Sequence, residues 1–173
     1  KKISIFSYPG APIKQWLTQL NQFDIPVDIF MAFGNAELLN LQKQAWSNLK
    51  LISLPFIPQD DFDYLLAQCD FNIVRGEDSF VRAQLVGRPF IWNIYPQDDG
   101  AHLIKLQAFL DLYLKEATPE LRAAVTKAMA WADINQWWTA LPLWNQLARV
   151  WRSQLLESQT DGGLAARLLR FVS

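Results

Sequence analysis

Phe71-Asn72-Ile73-Val74-Arg75-Gly76-Glu77-Asp78-Ser79-Phe80-Val81-Arg82-Ala83-Gln84 is the stretch whose reading decides the fold. Phe71 to Val74 is a short apolar run bounded by turn residues, which predicts a buried strand. Arg75-Gly76 turns it, and a helix is expected over Asp78 to Val86. A buried strand feeding a helix through a glycine is the unit from which parallel sheets are built, because parallel neighbours need a crossover.

The same rhythm extends to both sides. Ile3-Ser4-Ile5-Phe6-Ser7-Tyr8 alternates like a strand, Pro9-Gly10 stops it, and Ile13, Trp16, Leu17, Leu20 and Phe23 recur at helical spacing. Val27 to Phe33 reads as a second strand, followed through Gly34-Asn35 by a helix carrying Leu38, Leu39, Leu41 and Ala45. Leu49 to Leu54 is a third strand, Asp60 to Gln68 a helix, and Pro89 to Tyr95 the fifth strand. The expected class is α/β, a Rossmann-like parallel sheet flanked by helices over residues 1–100. Residues 101–173 read as an all-helical region packing on the same domain. Leu103, Leu106, Phe109, Leu110 and Tyr113 mark its first helix, and Thr118-Pro119 opens the next with an N-cap and an N1 proline. Pro142 should break the region from Trp131 to Trp151, and Gly162-Gly163 should set off a last helix over Leu164 to Phe171.

Composition narrows the function. Hydrophobic residues form 51% of the 173-residue chain and charged ones 19%, which excludes disorder. The balance of 16 basic against 17 acidic residues, with no basic cluster interleaved with aromatics, argues against nucleic acid as a direct ligand. One cysteine, Cys69, and one histidine provide neither an internal disulfide nor a zinc site, so no metal is expected and a cytoplasmic location is favoured. No apolar run approaches the roughly 18 residues of a membrane span. The absence of an initiator Met implies a fragment.

In an open α/β sheet the loops after the strands carry the chemistry. The turn after Val74 leaves a helix start whose unpaired amides and dipole suit a phosphate, with the Ser79 hydroxyl as an added donor. Glu77 and Asp78 sit badly beside an anion unless they orient Arg75 or meet sugar hydroxyls; more plainly, Asp78 or Ser79 caps the helix and Glu77 is solvated. Leu54-Pro55-Phe56-Ile57-Pro58-Gln59 is a proline-stiffened loop presenting Phe56 as a stacking surface for a base, with the Gln59 amide for its edge; without context such a phenylalanine is more often core. Tyr8 and Tyr95 should reach the same sheet edge, as phosphate donors or as amphipathic rim residues. His102 reads as a local hydrogen-bonding residue. Neither G-x-G-x-x-G nor a P-loop is present.

The run Arg75 to Gln84, then Gly87-Arg88-Pro89-Phe90, then Tyr95-Pro96-Gln97, resembles the elongation factor P arginine rhamnosyltransferases. The resemblance extends from Ile3 to the helix at Ala101-His102-Leu103. It implies an inverting, two-domain GT-B glycosyltransferase that moves L-rhamnose from dTDP-β-L-rhamnose onto an arginine of elongation factor P, this chain being the donor-binding half. On that resemblance thymine lies near Phe56, with Phe6 a second aromatic contact and Gln59 at its edge. The diphosphate lies near Tyr8, Tyr95 and Asp78-Ser79, with Arg75 and Glu77 in the same pocket. The acceptor half, with its aspartate base, is absent, which leaves Glu77 a supporting role. Two other readings compete: a GT-B donor domain for a UDP- or ADP-sugar, and a non-catalytic α/β partner-binding domain. A receiver-like domain is disfavoured by Ser7-Tyr8-Pro9 and Tyr95-Pro96-Gln97, which stand where it needs aspartates and a lysine.

Overall fold

The computed structural model describes residues 1–32 and 36–158. Five parallel strands, β1 (Lys2–Ile5), β2 (Val27–Met31), β3 (Leu49–Ser53), β4 (Phe71–Arg75) and β5 (Phe90–Asn93), lie in the order β3-β2-β1-β4-β5. The connecting helices are α1 (Ile13–Leu20), α2 (Ala36–Gln42), α3 (Gln59–Gln68) and α4 (Gly76–Val86). After β5 come α5 (Ala101–Tyr113), α6 (Pro119–Met129) and α7 (Ile134–Glu157). The α/β class expected from the sequence is the class observed, and the five strands fall where they were expected.

Burial explains why β4 reads as unbroken apolar sequence. Phe71, Asn72, Ile73 and Val74 are all buried, which requires cover on both faces of the sheet. Asn72 is tolerated there because both ends of its amide are engaged. Its Oδ1 accepts from the Ser4 hydroxyl at 2.6 Å and its Nδ2 donates to the Leu66 carbonyl at 3.1 Å. The helical region closes on the same core. Trp137 of α7 stacks on Phe71 with centroids 4.6 Å apart, and the Trp92 amide of β5 faces the Met129 sulfur of α6 at 3.3 Å.

Several boundaries differ from expectation for local reasons. β1 ends at Ile5, not Tyr8: the alternation continues, but the ladder with β2 and β4 stops there. α4 begins at Gly76, ahead of the expected Asp78, because Gly76 takes φ +64° and turns the chain directly out of β4. Thr118 does cap α6, accepting from the Leu121 amide at 3.3 Å. Pro142 does not break the helical region, since α7 runs through it from Ile134 to Glu157. The ring lies on the exposed face, so the hydrogen bond it cannot donate is lost toward solvent, while Trp137, Leu141, Trp144 and Ala148 bury the opposite face on both sides of it. The end of the expected second strand, the Gly34-Asn35 turn and the helix expected over Leu164 to Phe171 lie outside the described residues.

Candidate functional site

Strand order reverses between β1 and β4, so the chains leaving their carboxyl ends diverge and open a crevice. Three hydrogen bonds shape its floor. The Phe6 amide still donates to the Ile73 carbonyl at 2.8 Å, keeping the segment after β1 beside the end of β4. The Tyr8 amide donates to Asn93 Oδ1 at 2.8 Å, and Trp92 Nε1 donates to the Gly76 carbonyl at 2.9 Å. Gly76 is favoured by its φ of +64°, and a Cβ there would stand only 3.3 Å from the Tyr8 hydroxyl. That hydroxyl therefore rests against the start of α4.

A cavity of about 660 Å³ occupies the crevice. Phe6, Phe56, Gln59, Arg75, Glu77, Asp78 and Ser79, expected from sequence as one site, all line it. Tyr8 and Tyr95 do not; they form an edge-to-face pair, 5.3 Å between centroids, on the other side of Gly76. Phe56 is 85% exposed, so it is presented to solvent and not packed in the core. Arg75 joins the two aromatic groups: its guanidinium carbon lies 4.3 Å from the Phe6 ring centroid and 5.0 Å from that of Tyr8. Among the described residues no carboxylate pairs with it, which leaves its charge available to an anion.

The acidic turn resolves into two unlike groups. Asp78 accepts from Arg82 Nε at 2.8 Å and from Gln59 Nε2 at 3.2 Å, and the Arg82 contact above all holds its carboxyl below the usual carboxylate range. Glu77 remains exposed at the cavity lip. Neither Asp78 nor Ser79 caps α4; Arg75 occupies the cap position and no side chain closes it, so the first-turn amides have no intrahelical acceptor. The Ser79 hydroxyl, expected as a free donor, is instead buried and gives its proton to the Arg75 carbonyl while accepting from the Arg75 amide. What the turn offers an anion is backbone and dipole. His102 Nδ1 accepts from the Gln97 amide at 3.0 Å, the local role expected of it.

The sequence reading missed the apolar wall opposite Arg75. Phe62 sits edge-on to Phe6 at 5.6 Å and lines the cavity with Ile57, Leu65 and Ala32. The available signal was Phe62 one turn beyond Gln59 on α3, whose apolar residues divide between the cavity and the buried Leu66. Among the described residues no three His, Cys, Asp or Glu side chains gather to hold a metal ion, and no helix is long and apolar enough to cross a membrane.

A family model described as Elongation-Factor P (EF-P) rhamnosyltransferase EarP matches residues 1–173. The chain belongs to the EarP family. A protein-arginine rhamnosyltransferase of Pseudomonas aeruginosa is 37% identical to this EarP-family chain over 191 residues, covering 98% of it and 49% of the relative. One of Shewanella oneidensis is 41% identical over 160 residues, covering 85% and 37%. A solved EarP structure, described as the structural basis for EarP-mediated arginine glycosylation of translation elongation factor EF-P, superposes with a TM-score of 0.81 at 34% identity. That superposition covers 99% of this chain and 59% of the other. The chain thus spans about half the length of the curated EarP relatives it matches.

Proposed function

We propose that this chain holds dTDP-β-L-rhamnose as the donor half of a GT-B, inverting glycosyltransferase that rhamnosylates an arginine of elongation factor P in the cytoplasm without a metal. The observation that carries the reading is one cavity lined by an exposed aromatic platform, a guanidinium with no carboxylate partner among the described residues, and an uncapped helix start. Family membership, and the names borne by the relatives, supply the sugar, the arginine and the translation factor.

In this reading thymine stacks between Phe56 and the Phe6–Phe62 wall, with Gln59 at its edge. Such stacking contributes about 1–3 kcal/mol. The diphosphate meets the start of α4, with Arg75 on one side and the hydroxyls of Tyr8 and Tyr95 on the other. Positive charge and oriented amides there stabilise the leaving dTDP as the bond from the anomeric carbon to the β-phosphate oxygen breaks. A guanidine nitrogen forms the new bond on the opposite face, and its proton goes to a base. With a pKa of about 13.8 the guanidinium is a poor nucleophile, so carboxylates must polarise it. Glu77 is one at the cavity lip, while the aspartate base belongs to the other half. The five strands with α1 to α4 form the nucleotide core, and α5, α6 and α7 buttress it as part of one domain.

Titrating the chain with dTDP, UDP and ADP tests this. Tightest binding by dTDP is expected, with chemical-shift changes at Phe56, Arg75 to Ser79 and Tyr95. Equal or absent binding of the three removes the rhamnose assignment, and shifts elsewhere relocate the site.

A further inference from the structure

Arg82 lies within the run Arg75 to Gln84, where the sequence assigns it no role, and yet it ties together three other side chains at the cavity: Asp78, Asp63 and, through Asp78, Gln59. Its Nε donates to Asp78 Oδ2 at 2.8 Å from one turn further along α4, and its Nη1 donates to Asp63 Oδ2 of α3 at 2.6 Å. Gln59, at the start of α3, donates to the same Asp78 oxygen at 3.2 Å. The chain α3–Arg82–Asp78–Gln59 therefore closes on itself at the mouth of the cavity, where Gln59 and Asp78 are both lining residues. An exposed ion pair of this kind adds little to folding stability, so its consequence lies in what it does to the local field.

That field poses a problem. A carboxylate in the first turn favours the helix but opposes an anion brought to the same amides. Asp78 is such a carboxylate, and 71% of its side chain is exposed, so solvent alone would leave its charge facing the cavity mouth. Arg82, shared with Asp63, offsets part of that charge and, with Gln59, ties the carboxylate to α3. We propose that Arg82 is a positioning residue for the donor diphosphate, offsetting the charge of Asp78 and bracing it against Asp63 and Gln59 so that the start of α4 can accept an anion. The inference rests on the diphosphate reading given above. Arg82 need not touch the ligand. It acts through Asp78, and its absence penalises phosphates more than bases.

The test compares dTDP with thymidine, which shares the base and lacks the phosphates, on the unmodified chain, on Arg82→Met and on Arg82→Met/Asp78→Asn, each followed by amide chemical-shift titration. Arg82→Met is expected to weaken dTDP about tenfold, with the loss shrinking as salt is raised, and to change thymidine by under about threefold. Adding Asp78→Asn is expected to restore most of the dTDP affinity, because it removes the charge that Arg82 had offset. A purely structural staple would weaken both ligands alike and would gain nothing from Asp78→Asn; that result overturns the proposal, as does an unchanged dTDP affinity in Arg82→Met. Should Arg82→Met fail to fold, Arg82→Lys retains one charge without the fork: dTDP affinity nearer the unmodified chain at low salt supports the proposal, and equal loss of both ligands rejects it. An unmodified chain that takes up no dTDP overturns the functional reading and this inference together. One that binds dTDP while Arg82→Met behaves as the parent overturns this inference alone.

Discussion

Two groups of aromatic side chains occupy opposite circumstances in this fold. Trp16, Phe71, Trp137 and Trp144 are buried where α1, β4 and α7 meet: Trp16 and Trp137 are parallel to within 1° at 5.7 Å, and Trp144 stands edge-on to Phe71 at 5.4 Å. Phe6, Tyr8, Phe56 and Tyr95 sit at the strand ends, where Phe56 and Tyr95 are 85% and 62% exposed. Within the buried group Trp144 Nε1 donates to the Tyr113 hydroxyl at 3.0 Å, whereas Trp16 Nε1 is buried without an acceptor among the described residues, held there by ring packing. The strand-end group packs only in part, Phe6 against Phe62 and Tyr8 against Tyr95, and lies beside the Arg75 guanidinium and the start of α4, the arrangement on which the proposed nucleotide site rests. Aromatic side chains thus do unlike work, and the difference lies in which element delivers them.

The sharpest way to break this division is to exchange stability for binding in either group. Trp137→Ala removes the ring that touches Trp16, Phe71 and Trp144 at once, and should cost about 3–5 kcal/mol in urea unfolding. The fraction that stays folded should bind dTDP as before. A loss below about 1 kcal/mol would mean that the cluster is filler and not the joint between sheet and helices.

Phe56→Ala should do the reverse. With so much of the ring already in solvent, unfolding free energy should move by no more than about 0.5 kcal/mol, whereas dTDP binding should weaken by about 1–3 kcal/mol. Unchanged affinity would remove the platform from the site, and a large stability loss would return Phe56 to the core.

How much of this division could be read from the sequence depends on range. Phe71 to Val74 was legible as a buried strand because cover on both faces writes itself as an unbroken apolar run, and Pro55 with Pro58 marked Phe56 as a loop residue. Phe62 was not legible, because a helix whose apolar residues face two ways has no single stripe to read, and only the packing of α3 beside Phe6 decides which way the ring points. Ser79 was misjudged for a related reason: its type fits a cap, but with Gly76 turning the chain early it falls one turn inside the helix and bonds back to Arg75. Pro142 was read by its local cost, and the Trp137–Trp144 burial around it outweighed that cost. Arg82 was legible only as the i,i+4 partner of Asp78, and its second contact, to Asp63, exists only once α3 and α4 are side by side.

The smallest effect concerns Tyr113, the buried ring whose hydroxyl accepts from Trp144 of that group. Burial pushes the Tyr113 hydroxyl well above its ordinary value of 10.0, the Trp144 N–H offsetting this only in part. A folded-state pKa above the unfolded one means that the native chain holds this proton more tightly. The stabilisation is therefore complete below pH 10 and falls away as pH rises, by at most about 1.4 kcal/mol per pH unit. Tyr113→Phe loses the acceptor for Trp144 at every pH but cannot ionise, so its stability should approach that of the parent between about pH 10 and about pH 11. Cys69, pushed up to about 12 from 9.0 by burial, destabilises both chains in the same window and drops out of the difference. Urea midpoints of the two chains measured from about pH 8 upward check this. A gap that stays constant above pH 10 would show that the Tyr113 hydroxyl reaches water, and that the buried group is less closed than its packing implies.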